Sequence, residues 1–139
     1  MKILYAVQCT GNGHLARAQE LLPILEKYGQ VDVLASGTQS QIGLQNPFAF
    51  KYRGISLFYA KNGALSYTKT FLNNSFIRFV LDVIRCPLNR YDFVINDFEP
   101  ITAWKSKFST TPILSLSHQG SLLFDETPMP AKKDRLARF

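Results

Sequence analysis

The chain has 139 residues, enough for one ordinary domain with a single core and too few for two full α/β domains. Hydrophobic residues make up 46% and charged residues 19%, which excludes a disordered chain. No apolar run reaches the ~18 residues of a membrane span, and the formal net charge of +6 points to an anionic ligand, an anionic lipid surface or nucleic acid.

Residues 3–7 (ILYAV) form a continuous apolar run, the pattern of a parallel strand buried on both faces. One lysine precedes it and no small-residue cleavage site follows, so it does not read as a signal peptide. Gly11 and Gly13 come next, and then Leu15, Ala18, Leu22 and Leu25 recur on one helical face. Pro23 lacks a backbone donor and is expected to kink this helix, and Gly29 to end it. Residues 31–34 (VDVL) are a second short strand, which completes a strand–turn–helix–strand unit.

Residues 48–52 and 55–59 read as short strands around Arg53-Gly54, and Asn62-Gly63 as a turn. Residues 71–85 have helical spacing, with Leu72, Phe76, Phe79, Val80 and Val83 on one face, and Cys86-Pro87 stops them. Residues 93–95 (FVI) are another buried strand. Pro100 opens a helix to about Lys107, Thr111-Pro112 breaks it, and residues 113–116 (ILSL) are the next strand. The alternation predicts an α/β fold, a Rossmann-like open, mostly parallel sheet with helices on both faces. The domain is expected over residues 1–120. Residues 121–139 are expected to be a tail with Pro128, Pro130 and the basic Lys132, Lys133, Arg135 and Arg138, the start of an interdomain linker or a solvated end. Cys9 and Cys86 match no metal or redox spacing and read as a reduced pair in a cytoplasmic protein.

In open α/β sheets ligands bind beyond the carboxyl ends of the strands. That rule selects three polar segments here. In Gly11-Asn12-Gly13-His14 the glycines let backbone approach a ligand, and the helix start favours negative charge. His14 is either a general base or a locally packed side chain. Asp97 and Glu99 follow a strand and precede a helix, where one carboxylate is expected as a cap. Asp97, at the strand tip, reads as an acceptor-hydroxyl or histidine-orienting group. Ser117-His118-Gln119 closes the last strand with groups that need partners. His118 has no metal-ligand spacing with His14 or the cysteines, and no metal is expected.

Gly11-Asn12-Gly13-His14-Leu15-Ala16-Arg17-Ala18 is similar to the GxGHxxRA signature of GT-B nucleotide-sugar transferases. Asn96-Asp97-Phe98-Glu99-Pro100 and Ser117-His118-Gln119 resemble the DFEP and HQ segments of one group of them, and the order and spacing agree. That group is glycosyltransferase family 28-like and resembles the peptidoglycan N-acetylglucosaminyltransferase. The resemblance implies one half of a GT-B fold and inverting transfer of a sugar from a nucleotide-sugar donor to an acceptor hydroxyl. It implies His14 as general base and Gly11, Asn12 and Gly13 at the donor's leaving diphosphate. It also implies Asp97, Glu99, His118 and Gln119 on the acceptor, a glycan or a lipid-linked sugar, and no cofactor beyond the donor. The nucleotide is then held chiefly by a C-terminal domain or a separate donor-binding subunit, without which these residues are expected to be inactive. Such a protein is expected in the cytoplasm, peripherally on the inner face of the membrane.

Two other readings compete. Gly11-x-Gly13-x-x-Ala16 fits an NAD(P)-binding Rossmann fingerprint, but that fingerprint wants an acid at the end of the second strand, where Leu34-Ala35-Ser36-Gly37 stands. A non-enzymatic basic module for membrane or nucleic acid would use Lys51 and Arg53 among the aromatics of residues 48–59. Nucleic acid is the less expected partner.

Overall fold

The computed structural model describes residues 1–10, 12–37, 47–55 and 74–117, with the single positions 66, 68, 70 and 72. β1 (Lys2–Gln8) lies at the centre of a five-stranded sheet, between β2 (Gln30–Ser36) and β4 (Phe93–Asp97). β3 (Phe50–Tyr52) and β5 (Ile113–Ser115) are the edges, and every pairing is parallel. The order β3-β2-β1-β4-β5 grows outward from β1 in two directions, so the topological switch point lies between the tips of β1 and β4.

The strands extend beyond their apolar runs into polar residues. The register Lys2↔Gln30 to Gln8↔Ser36 carries β2 to Ser36, and Val7↔Asp97 carries β4 to its carboxylate. A parallel ladder bonds backbone, so the apolar pattern marks burial and not where pairing stops. β5 differs from the other apolar strands. All three of its residues are exposed, as befits an edge strand.

Alternation along β1 divides the core in two. Ile3, Tyr5 and Val7 face α1 (Asn12–Leu25), which buries Leu15, Ala18 and Leu22 against them with Val33, Ala35 and Ile95. Leu4 and Ala6 face the other layer, where α2 (Phe76–Arg85) brings Phe79 and α3 (Pro100–Ser106) brings Ile101. Pro23 lies inside α1, and the helix closes two residues later, ahead of a turn at 26–28 and Gly29. Cys9 and Cys86 are not joined in a disulfide and are buried in opposite layers. Burial pushes the Cys86 thiol up to about 12, so it stays protonated.

The stripe expected to be buried along residues 71–85 divides. Phe79 is buried and Val83 half-buried, while Leu72, Phe76 and Val80 are exposed. Spacing says which residues share a face but not how wide a strip the sheet can cover. α2 rests on the core through Phe79 and Val83, with Cys86 just beyond its end, and Ile77, Leu81 and Ile84 are exposed as well. No helix among the described residues is long and apolar enough to cross a membrane. The segment 55–59 lies outside the described residues beyond Ile55, as does the expected tail, 121–139.

Candidate active site

The first turn of α1 opens at the switch point. Asn12 and Gly13 are its first two residues and are exposed, while Gly11 lies outside the described residues. The leading amides of a helix have no intrahelical partner and carry its positive dipole end. A Cβ on Gly13 would meet nothing within 4 Å, so no neighbour requires glycine there and the space beside it is open.

His14 is the third residue of α1, and its Nδ1 lies 2.8 Å from Oδ1 of Asp97, at the tip of β4. Arg17 follows three residues later, on the same helix face, with Nη1 3.2 Å from the same oxygen. The Tyr5 hydroxyl donates to Oδ2 of Asp97 at 3.0 Å. Asp97 is 0% exposed. A buried carboxylate is costly unless it is paired and hydrogen-bonded. Here the guanidinium balances its charge, and the phenol and imidazole occupy its two oxygens. Burial, and then the neighbouring carboxylate, push the Tyr5 hydroxyl above its ordinary range, so it remains a donor.

A carboxylate only accepts, so Nδ1 of His14 donates, and in the neutral ring the lone pair is then on Nε2. The imidazole is 28% exposed, within reach of a ligand in the crevice. Its ring stacks parallel on Phe98, with centroids 5.7 Å apart and planes 2° from parallel. Phe98 has φ 58, the left-handed region that an aromatic residue seldom occupies. Local strain of this kind persists where surrounding contacts enforce it.

The turn at Phe98 sends Glu99 away from Asp97. Glu99 is 0% exposed and caps α3, accepting from the amides of Ile101 at 2.8 Å and Thr102 at 2.6 Å and from the Thr102 hydroxyl at 2.7 Å. Asn96 completes the ring, donating to the Glu99 carbonyl at 2.5 Å and to the Thr102 hydroxyl at 2.7 Å. The Glu99 carboxylate thus serves the helix start, the cap expected of one of the two acids, and the residue also lines the cavity beside it. Burial raises its pKa, opposed by the bonds from Thr102, Ile101 and Ser36.

Next to this ring a cavity of about 420 Å³ is lined by Ile55, Phe98, Pro100, Ala103 and Trp104, with Gln8, Thr10, Asn96, Glu99, Ser115 and Ser117 among its polar residues. His14 and Asp97 do not line it. Phe98 is shared, with the cavity on one side and the His14 ring against it. Ser117 reaches the cavity, whereas His118 and Gln119 lie outside the described residues.

Tyr5 and Arg17 complete the cluster, and sequence reasoning gave neither a role. A tyrosine inside a buried apolar strand needs a partner for its hydroxyl, and Arg17 stands at helical spacing from His14. Those were the available signals. Among the described residues no group of three or more His, Cys, Asp or Glu side chains is placed to hold a metal. At the tip of β2 stands Ser36, buried and donating to Gln8 at 2.7 Å, where a dinucleotide site would place an acid. Asp32, farther back on β2, accepts from the Tyr91 hydroxyl at 2.8 Å.

The model of the family described as glycosyl transferase family 1 matches residues 1–137. No curated protein and no solved structure matches the chain. A parallel sheet with its switch point at a Gly-His helix start, under a family match that spans nearly every residue, leads to one statement of kinship: the chain belongs to glycosyl transferase family 1 and carries a glycosyltransferase domain of the GT-B type.

Proposed function

We propose that this domain is the acceptor-binding half of an inverting glycosyltransferase, and that His14 is the base that takes the proton from the acceptor hydroxyl. The carrying observation is the 2.8 Å contact between His14 Nδ1 and buried Asp97, which leaves Nε2 free at the switch point. Asp97 orients the ring and balances the imidazolium that forms when the proton arrives. The acceptor oxygen attacks the anomeric carbon of a nucleotide sugar as the nucleoside diphosphate leaves. The positive dipole end of α1, at its first turn, favours the charge that develops on that leaving group.

The acceptor lies in the cavity beside Phe98, whose walls of Ile55, Pro100, Ala103 and Trp104 suit an apolar or sugar face. His118 and Gln119, which follow Ser117 at its rim, complete the acceptor contacts in this reading. The nucleotide is held chiefly by a second half of the GT-B fold. The sequence segments around His14, Asp97 and Ser117 favour the family 28-like group, with a lipid-linked or glycan acceptor. Peripheral membrane contact fits the exposed apolar side chains of α2, namely Phe76, Ile77, Val80, Leu81 and Ile84.

The test is an assay of the full-length protein against a panel of nucleotide sugars, reading nucleoside diphosphate release and the anomeric configuration of the product. Transfer with inverted configuration, lost in His14→Ala, is expected. Transfer with retained configuration, or full turnover in His14→Ala, rejects the mechanism.

A further inference from the structure

A second hollow opens at the other edge of the sheet, between β3 and α2. About 680 Å³ in volume, it is lined by Lys51, Arg53, Arg78 and Arg85, with Gly37, Tyr52 and Asp82. Lys51 lies in edge strand β3 and Arg53 just beyond it. Arg78 and Arg85 are seven residues apart on α2, two turns along one side of the helix. All four cations are exposed.

Among the described residues the ion pairs are those of His14 and Arg17 with Asp97, so none of these four cations has a carboxylate within pairing distance. Asp82, the acid in the lining, is 8% exposed, and its burial favours the neutral form. Among the described residues, four positive charges therefore converge on one concavity with Asp82 as the one acid in its lining. Such a set repels itself until an anion enters. Guanidinium forks match the oxygens of a phosphoryl group, and a phosphoryl group carries more charge and more acceptors than a carboxylate.

We propose that the hollow between β3 and α2 binds the phosphoryl group of a phosphorylated ligand through Lys51, Arg53, Arg78 and Arg85. β3 and β1 are two strand spacings apart, about 10 Å, so this site neighbours the His14 crevice without belonging to it. The inference concerns binding alone and does not depend on His14 acting as a base.

Calorimetric titration of the protein with inorganic pyrophosphate tests it. Saturable binding is expected, weakened on the order of tenfold or more in Arg78→Gln/Arg85→Gln. Lys51→Gln/Arg53→Gln provides a second, independent loss if the α2 pair compromises folding, which circular dichroism reads. Sedimentation with phosphatidylglycerol vesicles separates the sources. Displacement of the protein from vesicles by pyrophosphate assigns the phosphoryl group to a lipid, and pyrophosphate binding without vesicle binding assigns it to a soluble ligand. Absence of saturation, undiminished binding in the folded variants, or equal affinity for sulfate overturns the proposal.

Discussion

At the tips of β1 and β4 one buried carboxylate gathers an imidazole, a guanidinium and a phenol. At β3 and α2 four cations share a hollow with one buried acid. Both regions sit at the rim of the same sheet, and each sets arginine and tyrosine beside a buried aspartate. In the first the protein supplies both signs of charge, so the cluster is paired internally and holds His14 in one orientation. In the second, on the proposal above, the balancing negative charge comes from a ligand. A site that moves a proton benefits from fixed geometry before the ligand arrives. A site that captures an anion gains from charge that only the anion balances.

The largest expected effect breaks the first region. On the proposed mechanism His14→Ala is expected to lower kcat by about 10²–10⁴-fold, the usual contribution of general base catalysis, and to lower the melting temperature as well, because buried Asp97 loses a hydrogen-bond partner. Next comes Asp97→Asn, which keeps the shape but removes the charge beside Arg17 and His14. It is expected to lower turnover by about 10–100-fold, as loss of an orienting partner does, and to show a lower melting temperature as well. Tyr5→Phe sharpens the comparison by removing one donor without changing charge. Denaturant unfolding should record a loss of about 1–3 kcal/mol, with turnover reduced less than in Asp97→Asn.

The smallest effect concerns Glu99, two residues from Asp97 and in a different role. Burial raises its pKa above the ordinary 4.5, so the folded chain binds the proton more tightly than the unfolded chain. Its stabilising contribution is full below that ordinary value and is lost as pH rises toward the folded value. Asp82, raised from 3.8, adds a slope of the same sign. Thermal melts from about pH 4 to about pH 8 should show Glu99→Gln with a flatter fall than the native chain. An unchanged slope would place the proton elsewhere.

The strands were legible because burial on both faces leaves a mark in sequence: ILYAV and FVI are the cores of β1 and β4. The positions of His14 and Asp97 followed from a topological rule that needs only strand order. The direction of Glu99 was not legible, because it depends on a left-handed turn at Phe98 and no local residue preference announces φ 58 in a phenylalanine. Arg17 and Tyr5 were legible as positions but not as partners. Their meeting at Asp97 brings together residues 80 and 92 positions apart, which only the assembled sheet specifies. Leu72, Phe76 and Val80 have the spacing of a buried stripe, yet the core beneath α2 is narrower than the stripe. The basic hollow was half visible, since Lys51 and Arg53 stand together in sequence, but Arg78 and Arg85 join them only through packing of α2.

The proton on the His14 ring is the most direct readout of the central claim, because a base at Nε2 requires the proton on Nδ1. Long-range proton–nitrogen NMR of the protein, with His14 assigned by comparison with His14→Ala, distinguishes the two neutral forms. A proton on Nδ1 and a bare Nε2, reversed or mixed in Asp97→Asn, is the expected result. A proton held on Nε2 in the native chain would contradict the assignment of His14 as a base oriented by Asp97.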